Sequence, residues 1–544
     1  MTASLEKADG DENISTTVAD HAVVTMQQTR RGLSPRHVQL MTIAGGIGVG
    51  LFVGVGGVLS KAGPLPLIIG YLIYGLGFIW PTMLNVAEMV AWLPIRGSIY
   101  ELASRFVDPA LGFAMGWTYF YAGAMLVCTE YSAVATVMQY WNTDINPAVW
   151  IAIALSVCYF MNMVAVRWYG EAEFIMGSTK ILLILGLIMA TFVTMVGGNP
   201  HHDAYGFRNW KNGDMAHEYY AEDATGIFLS ICICVRYAVF TIGGPDIISL
   251  SAGEIRNPRK TIPKVAKLIV GRILFFYVVG ILAVGIICNS RDPTSGGDRE
   301  WRSWRISISL GAGPSLRTLY SLAQDGQAPK IFLRCTKSGV PWVCVTAVTA
   351  ISLLSFLVAS NSASEVFSWF LDLTTVALVV NFTAMTWVFI GWRRALKAQG
   401  ITRQGENSFK KSLFKRNSDK QPAPGIVFPF TAPCASWTPY LCLFIGGSTS
   451  IFIGFDIFQP WSLKGFITSY FGLAWFFFMF TFWKVFKRTK FVTPATVDIF
   501  ADGKKQAVDE ECRFWEEGFG DEAERDALAK KHVVVRTWAR FWGG

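Results

Sequence analysis

About eleven long apolar runs constrain this chain more than any other feature of its sequence. They fall near 38–62, 65–92, 110–138, 147–166, 174–197, 225–250, 265–288, 340–360, 366–391, 437–456 and 464–485. Each approaches the ~20 residues that an α-helix needs to cross the hydrocarbon core of a bilayer. In lipid a segment must satisfy its own peptide groups, and barrel strands would be half as long and alternate in polarity. The runs are therefore read as helices of an all-α integral membrane protein. Composition agrees: 52% of residues are hydrophobic and 16% charged, with a mean hydropathy of +0.37. A soluble domain carries about a quarter charged residues.

The formal charge of +9 does not point to nucleic acid. The cations sit in short loops between apolar runs, where the positive-inside rule places them. Arg30, Arg31 and Arg36 precede the first span and put the N-terminus in the cytoplasm. Alternation then places Arg96, Arg105, Arg167, Arg256, Arg259, Lys260 and Lys264 inside, and the loop at 198–224, with His201 and His202, outside. Residues 1–35 and 490–544 read as cytoplasmic tails around a membrane domain at 36–489. The tails and the basic run at 393–420 are expected to be solvated loops.

Alternation fails once. The span at 265–288 should end outside, yet Arg317–Lys337 and Arg393–Lys420 are both basic and both look cytoplasmic. A crossing is required between about 290 and 316, where Arg299, Arg302 and Arg305 interrupt any apolar run. Each such charge would cost roughly 2.5–3.5 kcal/mol at the bilayer centre. Either a crossing is missing or the C-terminal half is inverted.

Two spans carry backbone breakers. The first holds Gly45, Gly46, Gly48, Gly50, Gly54, Gly56 and Gly57; the sixth holds Gly243, Gly244 and Pro245, then Asp246. Gly and Pro weaken a helix interior. Non-helical backbone at membrane depth survives only where it lines a cavity or is buried in protein. Interrupted helices in corresponding positions of two halves are the best sequence pointer to a transport site. Half-helix N-termini there would offer N–H groups and a positive dipole end to a carboxylate. The competing explanation is close helix packing through small residues.

Glu88, Glu130, Lys180 and Asp246 lie in or near the ends of apolar runs. Such groups mark substrate or proton pathways by default. The plainer alternatives are an interface role for Glu88, snorkelling for Lys180, placed in the first turns of its span, and helix capping for Asp246. No hydrolytic or nucleotide motif is present: GGIGVG lies inside an apolar span, and no GxSxG, HExxH, Walker A or CxxC occurs. The ten Cys follow neither a metal-binding nor a disulfide spacing. The chain therefore reads as no enzyme and calls for no cofactor or metal.

Several longer motifs resemble fungal amino acid permeases of the amino acid–polyamine–organocation superfamily. They are Arg36-His-Val-Gln-Leu40 before the Gly-rich span, Ser104–Ala114, Gln139–Asn142, Val166–Phe174, Ala252–Glu254 with Asn257–Pro263, Arg317–Ala323 and Arg394–Gly400. The resemblance covers about residues 31–500. It implies a LeuT-like bundle of five-plus-five inverted repeats and proton-coupled amino acid uptake at the plasma membrane. Carried onto this chain, it implies substrate contacts at Gly46, Gly48, Val49, Gly50, Phe240, Gly243 and Gly244. It implies proton-coupling roles among Lys180, Glu130 and Asp246. Partners would be an amino acid, a proton and the bilayer. Three departures stand out: Val49 replaces the usual Thr, Asp246 the common Glu, and the apolar body of an eighth helix before Arg317 is lacking. Extra sequence at 404–427 adds to these. A sensor of the same fold and a transport-inactive product of an altered gene model stay open as alternatives.

Overall fold

A computed structural model describes residue 48 and residues 50–517, outside 96–97, 143, 165, 201, 212–214, 244, 253–254, 256, 291–312, 337–339, 402–427, 459, 501–508, 511 and 515–516. Among the described residues the apolar runs are helical apart from a break in the sixth. Helix α1 (Gly50–Ala62) leads into α2 (Pro64–Trp92), α3 (Ser98–Phe106), α4 (Pro109–Trp141), α5 (Pro147–Val164) and α6 (Val166–Met195). Then come α7 (Asp223–Thr241), α8 (Pro245–Ser251), α9 (Pro258–Ile287), α10 (Gly313–Gln324), α11 (Trp342–Ala359), α12 (Ala363–Ala398), α13 (Thr438–Ile457) and α14 (Leu463–Lys487). Among the described residues nine of these are long and apolar enough to span, and Gly50–Ala62 and Pro147–Met163 are shorter apolar helices. The total matches the eleven runs.

Local chemistry sets the helix starts. Asp108 caps α4, its Oδ1 accepting from Ala110 N at 2.8 Å with Pro109 at the first helical position. Ser362 and Ser462 cap α12 and α14 through Glu365 N and Gly465 N. Burial then sorts centre from periphery. The apolar windows of α4 and α12 are each 78% buried, while those of α6 and α14 are 17% buried. The first pair pack on each other as the central posts. The outer pair turn their apolar side chains outward, as a lipid solvent allows.

Three expectations change. Lys180 is not in the first turns of its helix: α6 begins at Val166, so polar residues that a hydropathy scan excludes extend it backward. Residues 393–398, expected in a loop, complete α12, and the Arg393 side chain donates to the Ala435 carbonyl. The segment after α14 is not simply solvated. Val497, Ile499 and Cys512 are buried, Arg259 pairs with Asp509, and the buried Asp108 carboxylate receives Lys484 Nζ and Thr489 Oγ1. Short-range polarity made that segment look like a tail, and only tertiary partners bury it.

Of the stretch at about 290–316 where a crossing is required, residues 291–312 lie outside the described residues, as does the extra sequence (404–427). Immediately after the first, α10 docks on α4. A Cβ on Gly123 would lie 2.3 Å from Ser315 Oγ, and one on Gly116 would lie 2.5 Å from Leu322 Cδ2, so the two backbones approach closely.

Candidate functional site between the interrupted helices

The sixth run is split. Helix α7 ends at Thr241, residues 242–243 are non-helical, and the chain becomes helical again at Pro245. A Pro supplies no N–H and is well placed at a helix start, while Gly243 removes the side chain that would favour continuing α7. Opposite this gap, α1 opens with a π-helical turn over Gly50–Gly54, and Leu51 N donates to the non-helical Gly48 at 3.2 Å. Gly46, Val49 and Gly244 lie outside the described residues.

Direct contacts join the two openings. Tyr237 Oη donates to the Gly50 carbonyl at 2.7 Å. Tyr71 Oη of α2 donates to Thr241 Oγ1 at 2.8 Å, and Thr241 Oγ1 donates to the Tyr237 carbonyl. A Cβ on Gly50 would lie 2.9 Å from Thr241 Oγ1 and 3.0 Å from the Phe240 ring. Phe240 is thus brought against helix α1 at the place where α7 stops. Cβ atoms built on Gly48 and Gly243 would meet no described atom within 4 Å. These two glycines have no described neighbour at that distance, whereas Gly50 is packed.

Asp246 lies in the first turn of α8 and is buried. Its Oδ2 accepts from Tyr119 Oη of α4 at 2.7 Å. Glu130 is also on α4 and buried. It is eleven residues beyond Tyr119, about 16 Å along the axis at 1.5 Å per residue. The structure therefore does not bring Glu130 and Asp246 together. Lys180 is buried in α6. One turn along the same face, Ile184 borders Gly280 together with Leu51 of α1: a Cβ there would lie 3.6 Å from Ile184 and 3.9 Å from Leu51. Lys180 is thus one helical turn from a residue that shares a neighbour with α1. Glu88 does structural work, since its Oε2 accepts from Ala432 N at 2.8 Å.

The sequence scan missed an ionic cluster one turn along α7 from Phe240. Arg236 Nη2 pairs with Asp372 of α12 at 2.6 Å, and its Nη1 pairs with Asp456 of α13 at 3.0 Å. Tyr219 Oη donates to the other Asp456 oxygen at 2.9 Å. Burial and the Asp456 charge push the Tyr219 hydroxyl pKa up. Arg236 and Asp372 both lie within apolar runs, so a search for every ionisable residue in a span would have found them.

A bundle of apolar helices, one of them interrupted between Thr241 and Pro245 beside the start of α1, defines a multi-pass membrane transporter of the APC/LeuT-like fold. The bundle is similar to a solved manganese transporter from Eremococcus coleocola, with a TM-score of 0.50 at 10% identity, covering 83% of this chain and 94% of that one. At that identity the likeness speaks for the fold alone. The family follows from sequence. The amino acid permease model matches residues 37–300 and 306–415, and its interruption falls within the Arg-rich stretch noted above. A proline-specific permease of Emericella nidulans is 35% identical, over 89% of this chain and 90% of its own length. A proline-specific permease of Saccharomyces cerevisiae is 34% identical, over 85% and 76%. A dicarboxylic amino acid permease of the same yeast is 30% identical, over 94% and 85%. This chain belongs to the amino acid permease family.

Proposed function

We propose that the protein imports amino acids across the plasma membrane by proton symport, with the N-terminus cytoplasmic, a membrane domain at 36–489 and cytoplasmic tails. The zwitterion binds at the gap between α1 and α7/α8. Its carboxylate meets N–H groups around Gly46, Gly48, Val49 and Gly50, where a half-helix N-terminus favours negative charge. Its ammonium meets carbonyls around Phe240, Gly243 and Gly244. Asp246, Lys180 or Glu130 carries the proton. The observation that supports this most is the interruption of α7 between Thr241 and Pro245 against the opening of α1, fixed by the Tyr237–Gly50 bond. Exposed peptide groups at that depth suit a charged ligand and nothing apolar.

Of the three proton candidates, geometry favours Asp246, because it lies within one turn of the gap and is held by Tyr119. L-proline is the first cargo to try, given the names of two relatives. The test is uptake of each of the twenty labelled amino acids into permease-deficient cells, with L-proline first. Uptake should rise as the external pH falls. Failure to accumulate any of them at every pH would refute the proposal. A transport-inactive product is the second reading, favoured by the interrupted family match at 301–305. Sequencing the transcript across codons 288–318 and 402–428 decides it.

A further inference from the structure

Three buried hydroxyls tie α2, α7 and α1 together beside the gap: those of Tyr71, Thr241 and Tyr237. Thr241 Oγ1 donates to the Tyr237 carbonyl at 2.9 Å, and Tyr237 Oη donates to the Gly50 carbonyl at 2.7 Å. A carbonyl only accepts, so Thr241 spends its proton on Tyr237. The bond of 2.8 Å between Tyr71 Oη and Thr241 Oγ1 must then be donated by Tyr71. Each hydroxyl thus has one defined role, and the set leads from α2 through the end of α7 to α1.

The bonds fall where the gap is shaped. The Gly50–Leu51 peptide is used at both ends, its carbonyl by Tyr237 and its N–H, that of Leu51, by the Gly48 carbonyl at 3.2 Å. That peptide is the joint between α1 and α7. Thr241 is the last residue of α7. The Ala238 carbonyl is taken by Ile242 N at 2.8 Å and the Tyr237 carbonyl by Thr241. The carbonyls of Val239, Phe240 and Thr241 follow in the last turn, where a helix has no onward N–H to receive them. Their direction depends on how that turn is held. Thr241 Oγ1 also stands against α1, since a Cβ on Gly50 would lie 2.9 Å from it. Tyr71 has a firm base. A Cβ on the adjacent Gly70 would lie 2.6 Å from Cys234 Cβ and 3.0 Å from the Cys234 carbonyl carbon, so α2 and α7 approach closely there. The Tyr277 ring of α9 backs the Tyr71 ring at 6.4 Å.

We propose that Tyr71 and Thr241 are positioning residues of the amino acid site. They act without touching the ligand. Tyr71, based on the α2–α7 contact, fixes the Thr241 hydroxyl. Thr241 fixes the last turn of α7 and so aims the carbonyls beyond Tyr237 that receive the α-ammonium. Tyr237, one turn back, carries the same setting to Gly50 of α1, beside the N–H groups that receive the α-carboxylate. A ligand gripped at both charged ends needs the two helix ends held at one separation, and these hydroxyls set it. This inference deepens the transport reading above and rests on it.

The test uses the full chain in permease-deficient cells, with L-proline as probe, or the amino acid best carried in the uptake series. Half-saturation and maximal rate per tagged molecule at the membrane are measured for Y71F, T241V, T241S and the double variant Y71F/T241V. T241V keeps the shape but leaves the buried Tyr71 hydroxyl without its acceptor, whereas T241S keeps both bonds. Half-saturation is expected to rise about tenfold in Y71F and in T241V, as for one buried hydrogen bond lost, with maximal rate changed less than twofold. T241S should stay within twofold of the unsubstituted protein. The double variant should be little worse than T241V, because both changes remove the same bond. Unchanged half-saturation in Y71F and T241V overturns the positioning role, and so does a T241S as impaired as T241V. Loss of maximal rate and membrane abundance with half-saturation unchanged would show a merely structural role and overturns it too. Should T241V fail to reach the membrane, Y71F decides alone. If the unsubstituted protein carries no amino acid at all, the transport proposal itself fails, a result the variants cannot mimic.

Discussion

Replacing Gly54 by Ala tests the junction on which the transport site depends. The added Cβ would lie 1.8 Å from Tyr237 Oη and 2.7 Å from its Cζ. Tyr237 is buried and its hydroxyl is held on the Gly50 carbonyl at 2.7 Å. To reach ordinary contact distance the ring must retreat by about 1.5 Å. Overpacking of this kind costs about 1–3 kcal/mol. The lost hydrogen bond adds about 0.5–1.5 kcal/mol. The sum, about 1.5–4.5 kcal/mol, lowers occupancy of the packed junction by about tenfold to a thousandfold at 1.4 kcal/mol per decade. The assay is amino acid uptake per protein molecule at the membrane, counted by an epitope tag. Gly54→Ala should lose nearly all uptake. Tyr237→Ala removes the clashing ring and the bond together, so adding Gly54→Ala to it should cost little more. The two effects should fall short of additivity by at least about 1 kcal/mol, as expected for residues in contact. Wild-type uptake in Gly54→Ala, or two effects that simply add, would show that α1 and α7 do not meet in this way.

Gly48→Ala and Gly50→Ala should separate, because a Cβ at Gly48 meets no described atom within 4 Å while one at Gly50 meets Thr241 and Phe240. The first should reach the membrane at wild-type level and alter mainly half-saturation; the second should lower membrane abundance as well, read by tag fluorescence. Arg236→Gln leaves Asp372 and Asp456 facing each other without their cation, whereas Asp456→Asn leaves Arg236 paired with Asp372. The melting temperature in detergent should therefore fall further for Arg236→Gln, by about 3 kcal/mol of lost stability as for breaking a buried pair, and the exchange Arg236→Asp with Asp372→Arg should recover part of it. Asp108→Ala removes the carboxylate that caps α4 and receives Lys484 and Thr489. Loss of a cap costs about 1 kcal/mol and each hydrogen bond to a charged group about 1.5–3 kcal/mol, so trypsin should cut after Arg488 or Lys490 much faster than in the unsubstituted protein.

The apolar runs by themselves determined the helices, since lipid leaves a chain of that length and polarity one way to satisfy its peptide groups. The run at 65–92 became Pro64–Trp92 and that at 464–485 became Leu463–Lys487. The interruption after Thr241 was also legible, because Gly243 and Pro245 act on their own backbone. Partnerships were not legible. Arg236 and Asp456 stand 220 residues apart, and nothing local to either tells which acid will face which base. The separation of Glu130 from Asp246 likewise appeared only when α4 and α8 were packed. Hydropathy and helix breaking are properties of neighbours along the chain, whereas a charge finds its partner across space, and only the tertiary structure decides that.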